Sequence, residues 1–233
     1  MPDLLIPEAQ EAHVGSIDVD LALDAKKLND GRYAELLRLL LDTRRYRPGM
    51  KPFQFLTDVD LQDGGKPIQV EVEFLAPKQV KLKKNKPKLL QDFRVLQAEG
   101  CESAFNAPVQ IELPGLTTRG ARNKVQLRVA SVPDFVVMKA HALAGRDKPK
   151  DSYDICYCLS YFPDGLEMLA AVWRQRSHQD VQRAIAILRE KFASVDSFGP
   201  EQVVEFFDSS ERDVQEMQAR RAFELVQKLL SFL

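Results

Sequence analysis

The chain is poor in cysteine: Cys101, Cys156 and Cys158 are its only three, an odd number without metal-ligand spacing. Neither a disulfide framework nor a cysteine-bound metal is expected from them. The first residues show no basic stretch followed by an apolar one, so the sequence reads as a reduced, cytoplasmic protein. Histidine is equally scarce, and His13, His141 and His178 are scattered, which argues against a zinc site. No apolar run approaches the roughly 18 residues of a spanning helix, so no membrane segment is expected. Neither sign of charge dominates, with 33 Lys and Arg against 34 Asp and Glu, so any affinity for nucleic acid must come from local clusters. Also missing are G-x-S-x-G, the Walker A sequence and G-x-G-x-x-G, which removes the signals of serine hydrolase, P-loop and Rossmann chemistry.

What is present is an ordinary globular composition, 45% hydrophobic and 29% charged, in two textures. Period-two stretches recur from residue 17 to about 129; beyond Pro133 the apolar spacing becomes helical. This predicts an α+β domain over 1–130 and a helical domain over 131–233. In the first, strands are expected at 17–23, 53–60, 68–75, 109–113 and 124–130. A helix should run from near Asp30 to before Pro48-Gly49, and "LQDGGKP" should turn a hairpin. In the second, Ser131 and Pro133 open a helix that Gly145 ends, another starts near Asp151, and further helices fit 164–175, 178–192, 200–207 and 211 to the end. The run "KQVKLKKNKPK", residues 78–88, holds six lysines and reads either as a solvated loop or as a phosphate-tracking surface together with "TRGARNKVQLR".

The first chemical signal is "SIDVDLALD". Residues two apart on a strand share a face, their Cα atoms roughly 6.5 Å apart. Asp18 and Asp20 could therefore converge on a divalent ion, while Ile17, Val19, Leu21 and Leu23 would anchor the other face. Hard oxygen donors suit Mg²⁺, which takes one or two carboxylates and shares substrate phosphates. The plainer reading is an edge strand with a charged outer face. The chain repeats D-V-D-L at Asp58 and Asp60, immediately before the hairpin turn, where a solvated strand end is expected. "IQVEVEFLAP" adds Glu71 and Glu73 on one strand face, a source of a third carboxylate.

A second signal lies in "VVMKAHALAGRDKPKDSYDI". Lys139 and Arg146 stand seven residues apart, near two helical turns, and Asp151 and Asp154 share a face of the next helix. Cations backed by carboxylates can hold a triphosphate, and they can equally be a salt-bridged corner between helices. His141 is expected to pack or lie at the surface. Cys156 and Cys158 are expected to be buried apolar thiols.

Taken in order, "GSIDVDLALD", "IQVEVEFLAP" and "VVMKAHALAGRDKPKDSYDI" resemble the nucleotidyltransferase superfamily, and more narrowly its AbiEii-type group, associated with abortive infection and toxin–antitoxin systems. The resemblance covers residues 13–160. Its pattern is a small residue and D-h-D-h on a strand, a third acid on another, then K-x6-R and D-x2-D in helices. These fall on Ser16, Asp18, Asp20, Glu73, Lys139, Arg146, Asp151 and Asp154. The alignment of "VEFLAP" selects Glu73 over Glu71. The resemblance implies a nucleotidyltransferase-like mixed sheet with flanking helices, followed by a helical C-terminal domain. It also implies transfer of a nucleoside monophosphate from an NTP to a hydroxyl of RNA or protein, and extends to the role of toxin-type component in a toxin–antitoxin system. Asp18 and Asp20 would bind Mg²⁺, and Glu73 would complete that site or accept the hydroxyl proton. Ser16, Lys139, Arg146, Asp151 and Asp154 would serve nucleotide and phosphates. The superfamily's glycine turn ordinarily stands well before the D-x-D, and Gly15-Ser16 lies too close to Asp18 to be it. The first strand and that turn are therefore expected to be missing, and a non-catalytic binding module of the same fold is the alternative.

Overall fold

A computed structural model describes residues 2–24, 30–60, 65–78, 95–117, 120–176 and 178–233, the side chains of 30–34 excepted. The chain forms two compact units, one of residues 15–102 and one that joins the residues up to Val14 to 103–233. The division thus falls at residues 14/15 and 102/103, whereas the change in sequence texture suggested 130/131. The hairpin at 109–129 is what shifts it, since it groups with the helices although its sequence alternates like the sheet's.

After a short helix α1 (Pro2–Leu5) in the helical unit, the sheet unit opens with β1 (Asp18–Ala22). It continues with α2 (Asp30–Asp42), β2 (Arg47–Pro48), β3 (Gln54–Val59), β4 (Ile68–Pro77) and β5 (Leu96–Ala98). The strand order is β1-β4-β3-β2, with β5 also on β4. β1 and β5 run parallel to β4 while β3 runs antiparallel to it, so the sheet is mixed and the hairpin expected across "LQDGGKP" is present. The turn's residues 61–64 lie outside the described set, as does most of the lysine run. β2 and β5 are too short to carry a period-two signal.

One face of this sheet is apolar. Phe55 and Phe74 are fully buried, edge to face at 5.9 Å between ring centroids, and Leu37 of α2, Val72 and Leu23 complete the cluster. Burying two phenylalanines contributes about 1.5–3 kcal/mol each. The anchoring expected of β1 is corrected here: Ile17, Val19 and Leu21 are 57%, 43% and 41% exposed, and only Leu23, past the strand's end, reaches the core. Among the described residues β1 stands at the end of the strand order and pairs with β4 alone, beyond the cluster centred on β3 and β4.

In the helical unit, a 3-10 turn (Cys101–Phe105) leads from the sheet unit into a two-stranded hairpin of β6 (Val109–Leu116) and β7 (Arg122–Val129). Gly120, at φ +79°, supplies the left-handed residue its turn requires. Six helices follow: α3 (Val132–Gly145), α4 (Pro149–Tyr161), α5 (Gly165–Gln175), α6 (Gln179–Lys191), α7 (Phe198–Phe207) and α8 (Arg212–Leu230). Each lies within a few residues of its sequence prediction. Ser131 caps α3 by accepting from the Asp134 amide, as its position before Pro133 suggested. Trp173, Phe192, Val136, Leu188 and Val226 are fully buried in one core, where the Trp173 indole donates to the Pro133 carbonyl at 3.2 Å. The fold is α+β, a mixed sheet with helices continuing to the C-terminus. No helix among the described residues is long and apolar enough to cross a membrane.

Candidate active site

The acidic face of the sheet is built by strand register. In the parallel pairing of β1 with β4, Asp18 lies opposite Glu71 and Asp20 opposite Glu73. Side chains of paired residues project to the same face, so four carboxylates gather there while Val72 and Phe74, one residue along, turn into the core. On the next strand Gln54 pairs with Glu73, and its buried amide donates to Glu71 Oε2 at 2.5 Å and Glu73 Oε1 at 3.2 Å. Gly49 lets that amide lie close, because a Cβ at residue 49 would meet the Gln54 side chain, its Cδ at 2.9 Å. Lys51 donates to Glu73 Oε1 at 3.0 Å. The hydrogen bond to Glu73 raises the Lys51 pKa against its partial desolvation, with the charges of Glu73, Glu71 and Asp18 adding to the effect. Ser16 accepts from the Asp18 amide at 3.2 Å, fixing the entry to β1.

The donor chemistry of this face fits a hard divalent ion, since oxygens from two adjacent strands are held in register. As placed, Glu71 and Glu73 are turned onto Gln54 and Lys51, and no three acidic, histidine or cysteine side chains among the described residues form a closed metal cage. An ion that keeps several waters and shares substrate phosphates needs only one or two carboxylates.

The second cluster belongs to the helical unit. Asp151 and Asp154, 0% and 1% exposed, project from one face of α4 as their spacing predicted. Lys139 of α3 bonds both, at 2.8 Å to Asp151 and 2.7 Å to Asp154. Arg146 makes a two-pronged fork on Asp151, Nε at 2.6 Å and Nη2 at 2.9 Å. Lys139 and Arg146 do not share a helix face: α3 ends at Gly145, Arg146 is its extended C-cap, and Asp151 brings the two cations together. Asp154 also accepts from Lys150 at 2.7 Å and contacts His13 Nε2 at 2.9 Å.

Burial pushes both carboxyls toward neutrality, but the cations prevail. The Arg146 fork and Lys139 hold Asp151 below the usual carboxylate range, and Lys139 with Lys150 does the same for Asp154. Lys139 is likewise held charged against its burial by Asp154 and Asp151. His13 is shifted down by burial, against the pull of Asp154, and packs its ring on Tyr153 and Tyr157.

The second D-V-D-L copy is where its sequence placed it. Asp58 lies on an exposed strand end and binds Arg47 through two bonds at 2.7 and 3.2 Å. His141 is buried, its Nε2 at 2.9 Å from the Asp180 carbonyl, and Cys158 is a buried thiol shifted up by desolvation. Cys156 is half-buried, its pKa pushed up to about 12. Sequence reasoning passed over Lys51, Gln54, His13 and Lys150. Lys150 was legible from its four-residue spacing to Asp154; Gln54 from its alternation with Phe53 and Phe55; Lys51 and His13 had no local signal.

The family described as nucleotidyl transferase AbiEii toxin, type IV TA system, matches residues 11–229. That span is nearly the whole chain and takes in both clusters. The chain belongs to this family, whose description implies an antitoxin counterpart. No curated protein and no solved structure matches it.

Proposed function

We propose, with membership of that family as the premise, that this chain transfers a nucleoside monophosphate from an NTP to a hydroxyl, releasing pyrophosphate, as the toxin-type component of its system. The observation that carries the reading is the register that sets Asp18 and Asp20 against Glu71 and Glu73 on one sheet face. In this proposal Asp18 and Asp20 hold Mg²⁺, and Glu73 completes the site or takes the proton of the attacking hydroxyl. When bound, the ion supplies charge neutralisation at the phosphates, which phosphoryl transfer needs more than covalent help. The acceptor oxygen bonds to the α-phosphorus, the bond to the bridging oxygen breaks, and its electron pair leaves on pyrophosphate. Arg146, half-exposed from its seat on Asp151, meets phosphate more readily than Lys139, whose side chain is 18% exposed. Asp151 and Asp154 orient these cations, and Ser16 shapes the start of β1. The acceptor is RNA or a protein.

The test is incubation with each α-labelled NTP and Mg²⁺, once with total RNA and once with host-lysate proteins. Label in one of the two names the acceptor; label in neither, from a folded chain that also binds no NTP, sinks the enzyme reading. The second reading, a binding module without transfer, is favoured by the closure of Glu71 and Glu73 onto Gln54 and Lys51. It predicts NTP or partner binding with no label transferred under any acceptor.

A further inference from the structure

We infer that the Lys51 ammonium is a tethered counter-ion of the Asp18, Asp20, Glu71 and Glu73 face, which a divalent ion must displace from Glu73 in order to bind. The inference rests on the metal reading above and adds a residue that the family pattern does not include. Among the described residues, two groups donate to the glutamates, and they differ in kind. Gln54 is 4% exposed, lies in β3 opposite Glu73, and is pressed into place against Gly49. Its amide stays with the carboxylates whatever else binds. Lys51 precedes the strand, its side chain 55% exposed while Glu73 is 14% exposed, and its ammonium also lies loosely over the Phe53 ring at 5.8 Å.

A flexible ammonium reaching in from solvent forms the sort of ion pair that contributes little and yields easily. It brings one positive charge to a face that the register gives four carboxylates. A divalent ion brings two and binds several oxygens at once, so it wins Glu73 at the cost of releasing Lys51. The ion's apparent affinity is then lowered by the fraction of molecules in which Lys51 sits on Glu73. The consequence runs against the usual effect of altering a site: removing a residue that contacts Glu73 should strengthen metal binding.

The experiment titrates the full chain with Mn²⁺ alone, following free Mn²⁺ by its electron paramagnetic resonance signal, in the parent, Lys51→Met, Lys51→Arg and the double variant Lys51→Met/Asp18→Asn, with far-UV circular dichroism as the check on folding. Lys51→Met is expected to bind about threefold to tenfold more tightly than the parent. Lys51→Arg should stay near the parent, and the double variant should lose the gain. Equal or weaker binding by Lys51→Met overturns the inference and leaves the metal reading standing. Tight binding that survives Asp18→Asn puts the ion elsewhere and overturns the inference too. No Mn²⁺ bound by either the parent or a folded Lys51→Met overturns the metal reading itself, and the inference with it.

Discussion

The two ionic clusters use the same chemistry, carboxylates set against cations, and differ in burial. On α4, Asp151 and Asp154 are sealed from solvent and held by Lys139, Arg146, Lys150 and His13. On the sheet, Asp20 lies exposed, Asp18 and the glutamates are half-buried, and the solvent-reaching Lys51 pairs with Glu73. A closed cluster has partners it cannot lose without stranding a buried charge, so its first role is in the fold. An open one can exchange partners, so an incoming ion has purchase there. Under the proposed function, this difference makes the helix corner scaffold and cation placement, and the sheet face the place for exchangeable ligand chemistry.

The largest effect should come from breaking the closed cluster. Asp151→Ala removes the seat of both Lys139 and Arg146 and is expected to cost about 3–5 kcal/mol in a denaturant titration. A loss below about 1 kcal/mol would make the corner as dispensable as a surface pair. Acid should act on the same cluster. Because Asp151 and Asp154 titrate below their unfolded values, their contribution is full above the ordinary carboxylate range and drains away as pH falls through the lowered folded values. The parent should therefore lose stability steeply below about pH 4, and the acid limb of the paired variant Lys139→Met/Asp151→Asn should be flatter. Smallest is the effect on the open face: Asp18→Asn or Asp20→Asn should shift stability by under about 1 kcal/mol, and upward in part, since each relieves repulsion among carboxylates. A loss above about 2 kcal/mol would show the sheet acids to be structural.

How much of this was legible in the sequence follows the same divide. Helix positions from Ser131 onward could be read because caps, prolines and apolar spacing are local signals, and Asp151 with Asp154 fell on one face as three-residue spacing requires. The exposure of Val19 and Leu21 could not, because alternation shows that a strand has two faces without telling whether anything covers the apolar one. The seven-residue interval between Lys139 and Arg146 places them on one face only if the helix runs past Gly145, and it ends there. Lys51 and His13 reach their carboxylates across distances of 22 and 141 residues in the chain, where no spacing rule applies. The identical D-V-D-L at Asp18 and Asp58 was separated by company alone, and the register of β1 on β4 gives that company a physical form.

That repeated tetrapeptide also supplies the most direct test. Nucleotidyl transfer would be measured with labelled NTP and Mg²⁺ on whichever acceptor the labelling experiment names, comparing the parent with Asp18→Asn and Asp58→Asn, two substitutions of the same chemistry in the same local sequence. Asp18→Asn is expected to abolish transfer, a loss of about a hundredfold or more, with folding intact, and Asp58→Asn to leave the rate unchanged. Undiminished transfer by Asp18→Asn, or an equal loss from both variants, would contradict that expectation.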